Sequence, residues 1–163
     1  MLQLLVRFLK LERQAGVGII KSLKKTYTNT HILTQKMDWL HFGFITMAIG
    51  KENVAESIGA NMAVSLRGFD IAIYPVKHTN CYQLVWKKVD KVHSISNDLL
   101  ALAYKNGLSI EKPFQKITPA IDGKQFNGIR LKEKGDNQLS MITVARLHWK
   151  KGLKTGMYYL RSK

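Results

Sequence analysis

Cysteine and long apolar runs are both scarce in this sequence. Cys81 is the only cysteine, which excludes an internal disulfide framework and suits a reducing compartment. No stretch approaches the roughly 18 uncharged apolar residues that a transmembrane helix needs. The opening MLQLLVRFLKLERQAG has no basic leader ahead of its apolar part and contains Arg7, Lys10 and Arg13, so it makes a poor signal peptide. We therefore expect a cytoplasmic protein.

Acidic residues are also few. The chain has 11 aspartates and glutamates against 26 lysines and arginines, which leaves a net charge of +15. This charge calls for an anionic partner, and nucleic acid, an anionic membrane face and a phosphorylated small molecule all qualify. The lysines are spread along the whole chain, and no zinc-finger spacing or recognition-helix pattern accompanies them. We therefore expect a generally cationic surface and no nucleic-acid binding.

The chain is long enough for one ordinary domain. Hydrophobic residues make up 45% of its 163 residues, whereas two full α/β domains need about 200 to 400 residues. Short apolar segments typical of buried strands alternate with segments of helical period, which predicts an α/β fold with a parallel sheet and crossover helices. The predicted strands are DWLHFGF, NMAVSLRGFD, which runs into a polar, Gly-bearing loop, DKVHSIS and FQKITPAI. The predicted helices are residues 2–12, GIIKSLKKTY, residues 46–58 closed by Gly59, CYQLVWKKV, and DLLALAYKN with Asn97 or Ser96 as its cap.

The stretch 121–138, rich in glycine, asparagine and charge, breaks this rhythm and is interpreted as a connector. An apolar strand, 139–145, and a helix in TGMYYLRSK follow it. One strand and one helix cannot bury a core of their own, so the strand either joins the first sheet or opens a second domain; the connector favours the latter. We predict a first domain over 1–120 and the start of a second over 139–163. We also expect the complete protein to extend beyond both ends, because a doubly wound domain seldom begins with helices alone.

The segment TVARLHWKKG is the most informative for function. It places Arg146 and Lys151, followed by Gly152, between the carboxyl end of the last predicted strand and a helix start. In open α/β sheets, ligands bind outside the carboxyl ends of strands. Cations beside the free N–H groups of a helix start form an anion cradle, and a diphosphate is the ligand that this predicts. The alternative is that both cations are solvated turn residues.

Five segments, in order along residues 38–153, resemble one enzyme family. TVARLHWKKGL resembles the V-G-R-L-x-x-x-K-G signature that opens the C-terminal domain of retaining GT-B glycosyltransferases, the group 1 family, with Ala145 in place of the usual glycine. KITPAIDGKQF resembles the interdomain I-P-x-G-V-D-x-x-x-F segment, and VDKVHSISNDL resembles the A-D-x-V-x-x-x-S-x-x-L element. WLHFGF and VSLRGFDI resemble the H-x-H-F-G and S-x-H-G-x-D elements. The combination most resembles the colanic-acid or exopolysaccharide branch.

This resemblance implies a GT-B architecture of two Rossmann-like domains, with the first one incomplete here and only the first βα unit of the second present. It implies transfer of a sugar, with retention, from a nucleotide-diphosphate sugar to a growing cell-surface polysaccharide or lipid-linked acceptor. Arg146 and Lys151 match the pair that neutralises the diphosphate leaving group, and Gly152 completes the motif, so neither a metal nor another cofactor is expected. Contact with an anionic membrane face fits both the acceptor and the net charge.

The resemblance also assigns residues of the first domain. His41 matches a cleft histidine; the alternative is a histidine satisfied within a strand-end turn. Arg67 stands where many members have histidine and is expected to reach a phosphate or a carboxylated sugar. Asp70 either orients Arg67, bonds a sugar hydroxyl or is an inert, exposed carboxylate. Gly43 and Gly68 are expected to allow close backbone approach.

The remaining distinctive residues are interpreted as structural. His93 alternates with Val92 in a predicted strand and is interpreted as packing, Cys81 as core, and Asp122 as part of the interdomain segment. The family's Gly-rich first loop and its paired glutamates are not found in this chain, so we expect no turnover by the isolated chain. Two alternatives to a glycosyltransferase stay open: a non-catalytic relic of such an enzyme, and a basic module that binds membrane or nucleic acid.

Overall fold

The computed structural model of the protein describes residues 2–126 and 142–161. Their contacts separate two compact units, Met1–Ile121 and Asp122–Lys163, and each is described by itself. The predicted first domain ends at residue 120. Among the described residues, no helix is both long and apolar enough to cross a membrane.

The first unit is built on a four-stranded parallel sheet flanked by helices, which confirms the predicted α/β class with a parallel sheet and is consistent with a Rossmann-like arrangement. Its strands pair in chain order, β1-β2-β3-β4. They are β1 (Trp39–Phe42), β2 (Asn61–Leu66), β3 (Lys91–Ser94) and β4 (Phe114–Lys116). All four fall within the segments predicted as strands.

The helices of this unit are α1 (Leu2–Gln14), α2 (Ile19–Leu33), α3 (Val54–Ile58), α4 (Phe69–Ala72), α5 (Tyr74–Lys77), α6 (Gln83–Lys88) and α7 (Asn97–Lys105). Ser96 caps α7 by accepting a hydrogen bond from the backbone N–H of Leu99, as predicted. The left-handed Gly59 ends α3, also as predicted. The short helices α4 and α5 lie in a segment that was interpreted from the sequence as a loop.

The predicted single helix over 46–58 is wrong. A 3-10 helix, Ile45–Ala48, is followed by a turn and then by the short helix α3. Gly50, in the turn, has a φ of +81°, a conformation that no helix interior contains. The apolar spacing of this segment therefore continues across a turn that interrupts the helix.

One face of the sheet is buried and the other is partly open, with Ser65 as its buried position in β2. Met62, Val64 and Leu66 of β2 are almost fully buried, whereas Asn61 is exposed and Ala63 half-buried. The strand order explains this contrast. Right-handed crossovers that advance in one direction place every connecting helix on the same face, and only a reversal of direction covers the second face. The order β1-β2-β3-β4 contains no reversal.

The buried face packs on the helices in one main apolar cluster. Val64 and Val92 from the strands meet Val85 of α6 and Ala103 of α7, all with no exposed surface. Burying a side chain of this kind stabilises the fold by about 1.5 to 3 kcal/mol relative to leaving it exposed. A smaller cluster of Phe8, Leu33 and Val54 holds α1 and α2 against α3.

The second unit contains a 3-10 helix, Gly123–Phe126, a second one, Trp149–Lys151, and α8 (Leu153–Arg161). Residues 142–145 of the predicted strand 139–145 form no strand, and the side chains of Ile142 and Val144 are 90% and 93% exposed. That prediction is wrong for these residues, because the described part of this unit offers no second strand to pair with. Residues 139–141, and 127–138 of the predicted connector, lie outside the described residues.

Candidate functional site

The open face of the sheet carries a cleft of about 640 Å³. Parallel register pairs His41 with Ala63 and Ser65 with His93, and alternate residues of a strand share a face. Residues of this face and of the segments after β2 and β4 line the cleft; among them are Trp39, His41, Arg67, Lys91, His93 and Ile117. The cleft therefore reaches the carboxyl ends of the strands, where ligands bind in open α/β sheets.

A row of hydrogen bonds crosses three strands beside the cleft. Nε2 of His41 lies 2.8 Å from Oγ of Ser65, and the same oxygen lies 2.8 Å from Nδ1 of His93. Nε2 of His93 lies 3.2 Å from the carbonyl oxygen of Ile117. Ser65 is fully buried, His93 is half-buried and His41 is exposed. The row fixes both imidazole rings and leaves His41 accessible from the cleft.

Of the described residues that line the cleft, the titratable ones are all basic: His41, His93, Arg67 and Lys91. Burial lowers the pKa of His41 below its usual value, and the neighbouring His93 and Arg67 lower it further. His41 is therefore neutral near pH 7, while Arg67 and Lys91 supply positive charge. The cleft suits an anionic ligand that also presents a polar hydrogen to a neutral imidazole.

The carboxylate of Asp70 holds the loop that carries Arg67. Its Oδ1 accepts hydrogen bonds from the backbone N–H groups of Arg67, at 3.0 Å, and Gly68, at 2.7 Å, and only 1% of the residue is exposed. The alternative of an exposed, inert carboxylate is therefore wrong. Asp70 orients Arg67, through the backbone, and has no access to a sugar hydroxyl.

Gly43 and Gly68, the two glycines predicted to allow close backbone approach, differ in their backbone conformation. A Cβ added at Gly43 or Gly68 would meet nothing within 4 Å, so the chain itself makes no close approach to either. Gly68 has a φ of +129°, which residues with side chains rarely adopt. Gly68 is thus required by the turn that Asp70 closes, while contact of Gly43 with a substrate stays a prediction.

In the second unit, Arg146 and Lys151 border one opening of about 430 Å³. Lys151 ends a 3-10 helix, and Gly152, with a φ of +64°, separates it from α8. The helix start predicted after these cations is confirmed, whereas the strand predicted before them is not formed by residues 142–145. The structure brings the two cations to one opening, but not to the end of a strand.

Sequence reasoning missed Ser65 altogether and was wrong in interpreting His93 as packing, since His93 lines the cleft. The available signal was alternation: His41, Ser65 and His93 all fall on polar-face positions of their strands. Cys81 packs against the main cluster, as predicted, and burial raises the pKa of its thiol.

Among the described residues, no group of three or more His, Cys, Asp or Glu side chains could hold a metal ion. Comparison of the chain with protein-family models, curated proteins and solved structures gave no match.

Proposed function

We propose that the chain is part of a retaining, sugar-nucleotide-dependent glycosyltransferase that acts on a cell-surface polysaccharide or a lipid-linked acceptor at the cytoplasmic face of a membrane. In this proposal the cleft of the first unit takes the acceptor, and the opening of the second unit takes the donor diphosphate. The order of the five family-like segments supports the enzyme class. No metal and no other cofactor enter the proposal.

The observation that carries the proposal is the composition of the first cleft. A neutral His41 stands in it together with two cations, Arg67 and Lys91, and the lining residues that the structure describes include no carboxylate. An acceptor that bears phosphate or carboxylate would be held by the cations. Its hydroxyl would then meet an imidazole able to accept a proton.

The second opening supports the donor half of the proposal. Negative charge builds on a diphosphate as it departs, so fixed cations at Arg146 and Lys151 would stabilise the transition state more than the ground state. The turn at Gly152 leads directly into α8, whose first N–H groups have no partner within the helix. Both side chains border the same opening, as a diphosphate site requires.

The proposal is tested by titrating the full chain with uridine and guanosine diphosphates in a calorimeter. Arg146→Ala and Lys151→Ala are expected to weaken binding at least tenfold, because each removes a charged contact to phosphate. Lys105→Ala, in the first unit, is the matched control. Equal affinities for all four proteins, or no binding by the parent chain, would remove the donor site. Binding without sugar transfer agrees with our prediction that the isolated chain does not turn over.

A helix surface favours peripheral membrane contact as part of this function. On α2, the side chains of Ile20, Leu23 and Tyr27 are 86%, 54% and 84% exposed. Their spacing of three and four residues places them on one face, and Lys24 lies among them. Apolar side chains bordered by lysine suit an anionic bilayer surface. If the chain bound vesicles but no nucleoside diphosphate, the alternative of a basic membrane-binding module would replace the glycosyltransferase.

A further inference from the structure

The carbonyl of Ile117 anchors one end of the hydrogen-bonded row that ends at His41. A carbonyl oxygen only accepts hydrogen bonds, so Nε2 of His93, 3.2 Å away, must carry a proton. A neutral His93 protonated at Nε2 has a bare Nδ1, which only accepts. The Ser65 hydroxyl, 2.8 Å from that atom, must therefore donate to it.

The same logic extends to His41. A serine hydroxyl has one proton, and Ser65 has given it to His93, so its oxygen accepts from Nε2 of His41 at 2.8 Å. His41 is then protonated at Nε2, and its Nδ1 is bare. The backbone carbonyl after β4 thus determines, through two side chains, the tautomer of a histidine on β1.

We infer that Nδ1 of His41 is the proton-accepting atom of the cleft, and that its ligand is a hydroxyl compound bearing phosphate or carboxylate, held by Arg67 and Lys91. The identity of the ligand as a sugar acceptor rests on the proposed function. The tautomer of His41 does not, because it follows from the hydrogen bonds of the row when His93 is neutral.

Ser65 and His93 act as positioning residues, and they also accept the proton that His41 passes along the row. When the ligand hydroxyl gives its proton to Nδ1 of His41, the proton on Nε2 passes to Ser65, and the Ser65 proton passes to Nδ1 of His93. His93 then carries the positive charge, with its Nε2–H still bonded to Ile117. The row of protons shifts by one place, and the ligand oxygen is left with an electron pair free for bond formation.

Ser65 itself is not the reacting group. It is fully buried, whereas His41 is exposed and lines the cleft. The titratable groups that line the cleft with His41 are Arg67, Lys91 and His93, all of them basic. Burial, His93 and Arg67 favour the neutral form of His41 that the row requires.

The tautomers are read directly from long-range nitrogen–hydrogen correlation spectra of the ¹⁵N-labelled full chain at pH 8. We expect His41 and His93 both to be protonated at Nε2, with the exposed His31 as a reference for an unconstrained ring. Ser65→Ala is expected to release His41 into a mixture of tautomers while His93, still bonded to Ile117, keeps its own. Ser94→Ala, a second fully buried strand serine, is the matched control and should change neither ring.

The ligand class is tested in the same spectra with sn-glycerol 3-phosphate, which has hydroxyls, and methyl phosphate, which has none. We expect the Nδ1 resonance of His41 to shift with the first probe only, and Arg67→Ala to abolish that shift. A His41 protonated at Nδ1 in the parent chain, an unchanged tautomer in a folded Ser65→Ala chain, or equal shifts with both probes would overturn the inference. If the parent chain bound no nucleoside diphosphate but showed the expected tautomers, the proposed enzyme would be contradicted. The inference that Nδ1 of His41 accepts a proton would still stand.

Discussion

Nζ of Lys25 lies 2.9 Å from Oε2 of Glu12, a carboxylate with no exposed surface; the contact is an ion pair without hydrogen-bond alignment. The same ammonium lies 3.1 Å from Glu52. Burial alone would lower the pKa of Lys25, but the interactions with Glu12 and Glu52 outweigh it and raise the pKa. One cation thus compensates two carboxylates where α1 and α2 meet the segment before α3.

Replacing Lys25 by methionine is expected to lower the free energy of unfolding by about 3 kcal/mol, because it leaves buried carboxylates without their counter-charge. Lys24→Met, on the exposed side of the same helix, should change it by less than about 0.5 kcal/mol. Urea unfolding followed by circular dichroism measures both. Since folding raises the pKa of Lys25, its contribution is present below about pH 10 and is lost as the pH rises through the folded value. Equal effects of the two substitutions would contradict this account.

His41 is expected to titrate below the usual histidine pKa of about 6.5, because burial, His93 and Arg67 all disfavour its charged form. Arg67→Met should raise that pKa, while Lys77→Met should leave it unchanged. A proton NMR titration of the imidazole resonances reports both values. Because the folded chain binds this proton less readily, the stability linked to His41 falls as the pH drops through about 6.5. A parent pKa above that value would exclude the proposed environment.

Gly68→Ala is expected to destabilise the first unit by about 2 kcal/mol, since its φ of +129° strains any residue with a Cβ. Gly43→Ala is the control, because it has open space and no positive φ; it should cost less than about 0.5 kcal/mol. Thermal unfolding of both variants measures the difference. Equal melting temperatures for the two variants would contradict the strain inferred at Gly68.

Exchange of Ile20 and Leu23 for serine is expected to reduce the fraction of chain that floats with vesicles containing phosphatidylserine, because it removes the apolar stripe from α2. Val76→Ser, which changes a residue 80% exposed on α5, should float like the parent. Flotation with purely zwitterionic vesicles separates charge from apolar contact. Equal flotation of the parent with both vesicle types would argue against an anionic membrane partner.

Local signals predicted most of the first unit. Apolar runs located the four strands, and Ser96 and Gly59 marked helix ends by capping chemistry that depends only on near neighbours. Local patterns were wrong where tertiary context decides. The segment 142–145 has β propensity, but a strand forms only with a partner, and these residues are exposed coil.

The candidate site was predicted less fully, because it depends on contacts between residues that are far apart in the sequence. His41 and Arg67 could be named because each lies in a segment that resembles the glycosyltransferase family, yet the contact of Ser65 with two histidines joins residues 24 and 28 positions apart. Such a contact depends on strand order and register, which a single sequence does not specify. Asp70 was ambiguous for a similar reason, since its burial depends on how α4 packs.

The strand order β1-β2-β3-β4, which leaves one face of the sheet for the cleft, has a consequence for which residues can be substituted. Positions 39, 41, 63, 91, 93 and 115 face the cleft, while the intervening positions of β2 and β3 hold the interior. Ligand specificity and thermal stability thus depend on alternate residues of the same strands. A library that varies only the first set should yield new binding specificities from proteins that still melt like the parent.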